Sequence, residues 1–299
     1  MTAAAFGEDH PRYEQSGAGR RRGRVSTLSV IGASVSSIEE PAVTSDRAGV
    51  GTLPWLHETD GILRPRDYVR LLGQGALFLL HGAPASVRRT FHLGSRRARF
   101  DSASLRLPAS PASREAERLC AQVPAVVNHS FRTYLWAALL GLRDGLSYDV
   151  EMLYVASLLH DIGFAELQHA PDGRPCCFAV PAVRTAVEVG SGAGWDEHRC
   201  EVAAEAISLP ANLYVGRRYG PEAYLLYAGA RLDQTGFRYG DQHPEDLRAV
   251  LARYPREGWK RACCQMMSQQ ACGVPGSRAT FYTRFLAGNR FIIRAPFQS

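Results

Sequence analysis

Every strongly periodic segment of this 299-residue chain repeats its apolar positions at helical spacing. None alternates with a two-residue period over a comparable length, so the periodicity predicts helices and no sheet. The pattern is strongest from residue 108 onward. "SPASREAERLC" offers Ser110 as a cap and Pro111 at the first helical position. "HSFRTYLWAALLGL" follows Asn128, a capping residue type, and stays apolar for three turns. "YDVEMLYVASLLHD" starts at Asp149 and runs into Gly163, a residue that favours helix ends. "PAVRTAVEVG", "DEHRCEVAAEAISL", "PEAYLLYAGARLDQTG", "PEDLRAVLARY" and "REGWKRACCQMMSQQAC" continue the series. The expectation is an all-α helical bundle over 108–297.

Residues 1–50 are rich in Gly, Ala, Ser and Arg and carry few large apolar groups. Such a stretch cannot bury enough surface to offset the entropy of ordering, and disorder is expected. Residues 51–107 read as an N-terminal extension with one helix, "PRDYVRLLGQGALFLLHG", and an Arg-rich connector. The formal net charge of +6 concentrates there: residues 86–118 hold Arg88, Arg89, Arg96, Arg97, Arg99, Arg106, Arg114 and Arg118 against Asp101, Glu115 and Glu117. That cluster suits an anionic partner or simple solvation. Phe91 and Phe100 are too few for a base-stacking surface, so nucleic acid is not expected. A hydrophobic content of 45% is ample for one large core, and no stretch reaches the ~18–20 apolar residues of a membrane span. The seven cysteines include two adjacent pairs and no CxxC spacing, which fits reduced structural thiols. A cytoplasmic protein acting on a small molecule is the expectation, with homo-oligomerisation open.

The chemistry-bearing residues sit at helix ends. His129 opens one helix and His160-Asp161 closes the next, and the short "GLRDGLS" link makes these two antiparallel neighbours. His129 can therefore face His160-Asp161. Asp233 lies near the end of the apolar helix "YLLYAGARLDQTG", where a buried carboxylate needs a partner. Each has an ordinary reading when taken alone: a cap, a helix end, or an acid paired with Arg231 or Arg238. Taken together they form one ordered pattern, H…HD…D, with small residues (Ala156, Ser157, Gly229, Ala230) one turn before the late members. Two imidazoles and two carboxylates suit Zn²⁺, Mn²⁺ or Fe²⁺, zinc first, rather than a calcium cage or a thiolate site.

The segments "VNHSFRTYLWAALL", "DVEMLYVASLLHDIG", "HRCEVAAEAI", "AYLLYAGARLDQTGFRYGD" and "YPREGWK" resemble the HD-domain superfamily of metal-dependent hydrolases, and within it the cyanamide-hydratase-like branch. The resemblance covers about residues 108–297. It implies an HD-domain bundle with His129, His160, Asp161 and Asp233 as ligands of one divalent transition metal. It also suggests Asn128, Arg132 and Thr133 as pocket residues. One departure is "ISLPANLY", where members of this branch carry a histidine and this chain has Pro210. Few histidines lie between the His-Asp pair and Asp233, which disfavours a second metal.

By that resemblance a metal-activated water would attack the carbon of a small nitrile-type substrate, with proton transfer by Asp161, Glu166 or His169. An alternative is an HD phosphohydrolase acting on a nucleotide or other phosphate ester, with Arg132 holding the phosphate. The stretch Gly163-Phe164-Ala165, where many HD phosphohydrolases carry a lysine, favours the neutral substrate. A third reading is a non-catalytic HD-fold binding module.

Overall fold

The computed structural model describes residues 49–90, 105–165, 173 and 175–298. Twelve α-helices form among them: α1 (Leu53–Thr59), α2 (Pro65–Thr90), α3 (Pro111–Cys120), α4 (Pro124–Asp144), α5 (Val150–Leu159), α6 (Ala179–Gly192), α7 (Glu197–Ser208), α8 (Pro221–Thr235), α9 (Pro244–Arg253), α10 (Trp259–Gly273), α11 (Arg278–Thr280) and α12 (Gly288–Ile293). Among the described residues no strand is present, only an isolated bridge between Ile62 and Ser277. The all-α expectation holds. The readings of residues 1–48, of Arg96, Arg97 and Arg99, and of Glu166 and His169 lie outside the described residues.

The caps explain where several helices begin. Ser110 Oγ accepts from the Ser113 amide at 3.1 Å, Asp149 Oδ1 from Met152 at 2.9 Å, and Asp196 Oδ1 from Arg199 at 2.8 Å. α4 differs from expectation. It starts at Pro124, about a turn before Asn128, because a proline at the first helical position gives up only an amide that would have no partner there. Asn128 is therefore not a cap; its exposed side chain donates to the Pro255 carbonyl at 3.2 Å. α5 ends at Leu159, and His160 and Asp161 lead into a short 3₁₀ turn, Ile162–Phe164. Gly163 is required in that turn, since a Cβ there would lie 1.9 Å from the Phe178 carbonyl oxygen.

α4 and α5 form the centre. Seven consecutive residues of α4, Tyr134–Leu140, are buried, as are Leu153–Leu159 of α5; helices apolar all round belong inside a bundle. α8 crosses α4 at Gly229, where a Cβ would lie 2.4 Å from the Thr133 carbonyl oxygen and 3.0 Å from the Ala137 nitrogen. This approach brings Asp233, one turn further along α8, against the face of α4 that carries His129, Arg132 and Trp136.

α1 was not legible in the sequence, because seven residues are too few to establish a period. It joins the same core as the bundle through Trp55 and Leu56, together with Val50, Leu63 and Leu71. Leu56 and Leu71 are each 1% exposed, and such burial contributes about 1.5–3 kcal/mol apiece. Trp55 Nε1 donates to the buried Asp67 at 3.0 Å, tying α1 to α2. A second cluster, with Val126, Trp259, Cys263, Met266 and Ile292, packs α10 and α12 beneath the start of α4. All seven cysteines are free thiols, as expected.

The Gly229 contact is testable. Gly229→Ala is expected to lower unfolding stability by about 1–3 kcal/mol through overpacking against α4. A urea midpoint equal to that of the wild type would show that the two helices are not in close contact.

Candidate metal centre

Three donor-bearing side chains converge where α4 begins and α5 ends. The ligand atoms of His129, His160 and Asp161 all lie within 4.8 Å of one another, and all three residues are buried. Asp161 Oδ2 stands 3.3 Å from His129 Nε2 and 3.3 Å from His160 Nε2. The imidazole rings lie 5.3 Å apart.

Both imidazoles are held from behind. His160 Nδ1 donates to the Ser157 carbonyl at 2.8 Å, which leaves Nε2 to face Asp161. His129 Nδ1 lies 2.7 Å from Asp233 Oδ2. With Asp233 ionised, Nδ1 carries the proton and Nε2 keeps its lone pair. Nε2 is buried without a hydrogen-bond partner among the described residues, an unfavourable position for a polar atom unless a ligand meets it. Trp259 stacks on the His129 ring at 4.1 Å and 13°, fixing its plane.

Asp233 does more than orient His129. Its Oδ1 accepts from Arg132 Nε at 2.8 Å and Trp136 Nε1 at 3.1 Å, and pairs with Arg256 Nη1 at 2.7 Å. Its Oδ2 also accepts from Arg132 Nη2 at 3.0 Å. The sequence pattern placed Asp233 among four ligands. In the structure it stands on the Nδ1 side of His129, its oxygens occupied by four donor side chains, so three donors converge rather than four. Its charge partners are Arg132 and Arg256; Arg238, considered from the sequence, instead pairs with Asp144 at 2.7 Å and Asp241 at 2.8 Å.

The electrostatics follow from these contacts. Burial opposes ionisation of Asp233, but Arg132, His129 and Arg256 outweigh it and hold the carboxyl well below its ordinary range. Burial likewise opposes ionisation of Asp161, and His160 and His129 bring its pKa below the usual value. Burial would depress His129, yet the neighbouring Asp161 and Asp233 carboxylates raise it above the ordinary histidine value. For His160 burial is the largest influence, and its pKa is lowered.

A cavity of about 40 Å³ adjoins the set, lined by His160 and Asp161 and walled by Phe164, Phe178, Pro210 and Tyr282. Asn128, Arg132 and Thr133, expected as pocket residues, do not line it. Arg132 donates to Asp233 and to the Tyr254 and Pro255 carbonyls, at 3.1 and 2.7 Å. Thr133 is buried against α8. Sequence reasoning missed Trp136, Arg256 and Trp259 as site residues. Trp136 sits at i+7 from His129 on the same face of α4, and the other two belong to the "YPREGWK" segment.

The family model described as HD domain matches residues 126–178, a span that carries His129, His160 and Asp161 but ends before Asp233. The match supports the HD-domain superfamily. No curated protein matches the chain.

Removing the Asp233 charge would leave Arg132 and Arg256 buried without their carboxylate. Asp233→Asn should cost about 3–5 kcal/mol in the metal-free protein, whereas Asp161→Asn, which strands no arginine, should cost much less. Equal losses in chemical unfolding would refute this division of roles.

Proposed function

We propose that this chain is a metal-dependent hydrolase of small substrates, with one divalent transition metal held by His129, His160 and Asp161. The donor set favours zinc, with Fe²⁺ or Mn²⁺ as alternatives: two imidazoles and a carboxylate leave coordination positions open, as catalytic sites require. The observation that carries the reading is the buried Nε2 of His129, without a hydrogen-bond partner among the described residues, beside His160 Nε2 and Asp161 Oδ2. The HD-domain match supports hydrolytic chemistry, because that superfamily consists mostly of metal-dependent hydrolases.

A bound ion of this kind acidifies water and polarises the substrate. The chain's own residues do the rest. Asp233 fixes the His129 tautomer, as the Ser157 carbonyl does for His160. Asp161, held ionised, is positioned to take a proton from the attacking water; Glu166 and His169 remain candidates for its onward transfer. Phe164, stacked on Phe178 at 4.0 Å, lines the cavity and excludes bulk water. At roughly 10–15 Å³ per water the cavity has room for about three, which fits a small reacting group such as the nitrile of a cyanamide-like substrate. Hydrolysis of a phosphate ester is the second reading. It is favoured by two buried arginines, Arg231 and Arg278, on the cavity wall.

The expected result for gently purified protein is one equivalent of transition metal by elemental analysis, lost in His160→Ala. Protein that refolds with no stoichiometric metal would refute the reading. Imidazole must be unprotonated to ligate, and His129 titrates above the ordinary value of about 6.5. Metal occupancy should therefore fall as the pH drops through that raised value, measured by equilibrium dialysis. Hydration of cyanamide against hydrolysis of a phosphate-ester panel separates the two substrate readings.

A further inference from the structure

Arg231 of α8 and Arg278 of α11 line the same cavity as His160 and Asp161. They are 7% and 1% exposed, and neither makes an ion pair among the described residues. Their burial is compensated by neutral groups. Arg231 Nη2 donates to the Asn212 carbonyl at 2.8 Å, and its guanidinium stands 5.0 Å from the Tyr282 ring and 5.7 Å from that of Tyr227. Arg278 Nη1 donates to the Ser208 carbonyl at 2.6 Å and to Asn212 Oδ1 at 3.1 Å, with its guanidinium 5.2 Å from the Trp55 ring. The Nε–H of each is buried and has no acceptor among the described residues.

Two buried guanidinium groups line one small cavity, each with a donor that meets no acceptor and with no carboxylate at ion-pair distance among the described residues; Asp161 is the one carboxylate of that lining. Carbonyl and ring contacts soften the cost of burying their charge but leave the charge in place. Asn212 joins the two arginines, and its own Nδ2 donates to the Val50 carbonyl at 2.6 Å, while Ser208 Oγ donates to Gly51 at 2.6 Å. The segment before α1 is thus tied to Ser208 and Asn212, the two residues whose oxygens hold the arginines. The contrast with Arg132 and Arg256 is sharp, for those share Asp233.

We propose that Arg231 and Arg278 form an oxyanion subsite beside the metal ligands, so that the substrate carries a small phosphate or carboxylate group next to the bond that reacts. The donors are planar and fixed, which suits the oxygens of either group. The subsite deepens the hydrolase reading and rests on it for its catalytic meaning, although anion binding itself does not require the metal.

The test is calorimetric titration of the full chain, metal-free and zinc-loaded, with inorganic phosphate, with formate, and with urea as a neutral control. One equivalent of phosphate or formate is expected to bind in both forms and urea not at all. Arg231→Gln should weaken that binding about tenfold to a hundredfold, with metal content unchanged. Arg278→Lys, which keeps a charge but loses the planar fork, should weaken it less and serves if the glutamine variant fails to fold. Phosphate binding with carboxylate rejected identifies a phosphate group, and the reverse a carboxylate. Absence of anion binding to the folded wild type, or binding of unchanged strength in both variants, would overturn the proposal. Arginine-dependent anion binding in a protein that takes up no metal would retain the subsite and discard the hydrolase reading.

Discussion

Asp233 is the interaction on which the site depends. One buried carboxylate accepts from an imidazole, an indole and two guanidinium groups, and so ties α8 to α4 and to the segment leading into α10. Hydrogen bonds to an ionised group are about twice as strong as neutral ones, and low local dielectric raises the cost of breaking any of them. The backbone approach at Gly229 and the charge network at Asp233 lie one turn apart on α8, so packing and electrostatics fix the same crossing of α4 and α8.

The cavity beyond His160 and Asp161 has a different character. It is small, flanked by a stacked phenylalanine pair, and carries two arginines that make no ion pair among the described residues. The same lining therefore presents donor atoms for a cation, on His160 and Asp161, and N–H donors for an anion, on Arg231 and Arg278. A substrate polarised between a metal and two guanidinium groups would be oriented before reaction, which is where much of the advantage of a preorganised site lies.

The bundle was legible in the sequence because long amphipathic and apolar helices declare their period. The pairing of His129 with His160-Asp161 was legible because a short link forces antiparallel neighbours. The role of Asp233 was only half legible: its burial could be read from "YLLYAGARLDQTG", but its partners Arg132 and Arg256 lie 101 and 23 residues away, and no local pattern announces them. Arg132 was visible beside His129 and was assigned to substrate, because a sequence does not show which charges a side chain has already met. Arg278 sits in a three-residue helix outside any periodic run, and Arg231 was weighed only as a partner for Asp233. A cavity formed where α7, α8, α10 and α11 meet has no signature in one dimension.

Anomalous diffraction from crystals of the metal-loaded protein tests the central claim most directly. The account predicts one ion bonded to His129 Nε2, His160 Nε2 and an Asp161 oxygen, with Asp233 still on His129 Nδ1. An ion bound away from these atoms, or an Asp233 oxygen in the coordination sphere, would contradict it.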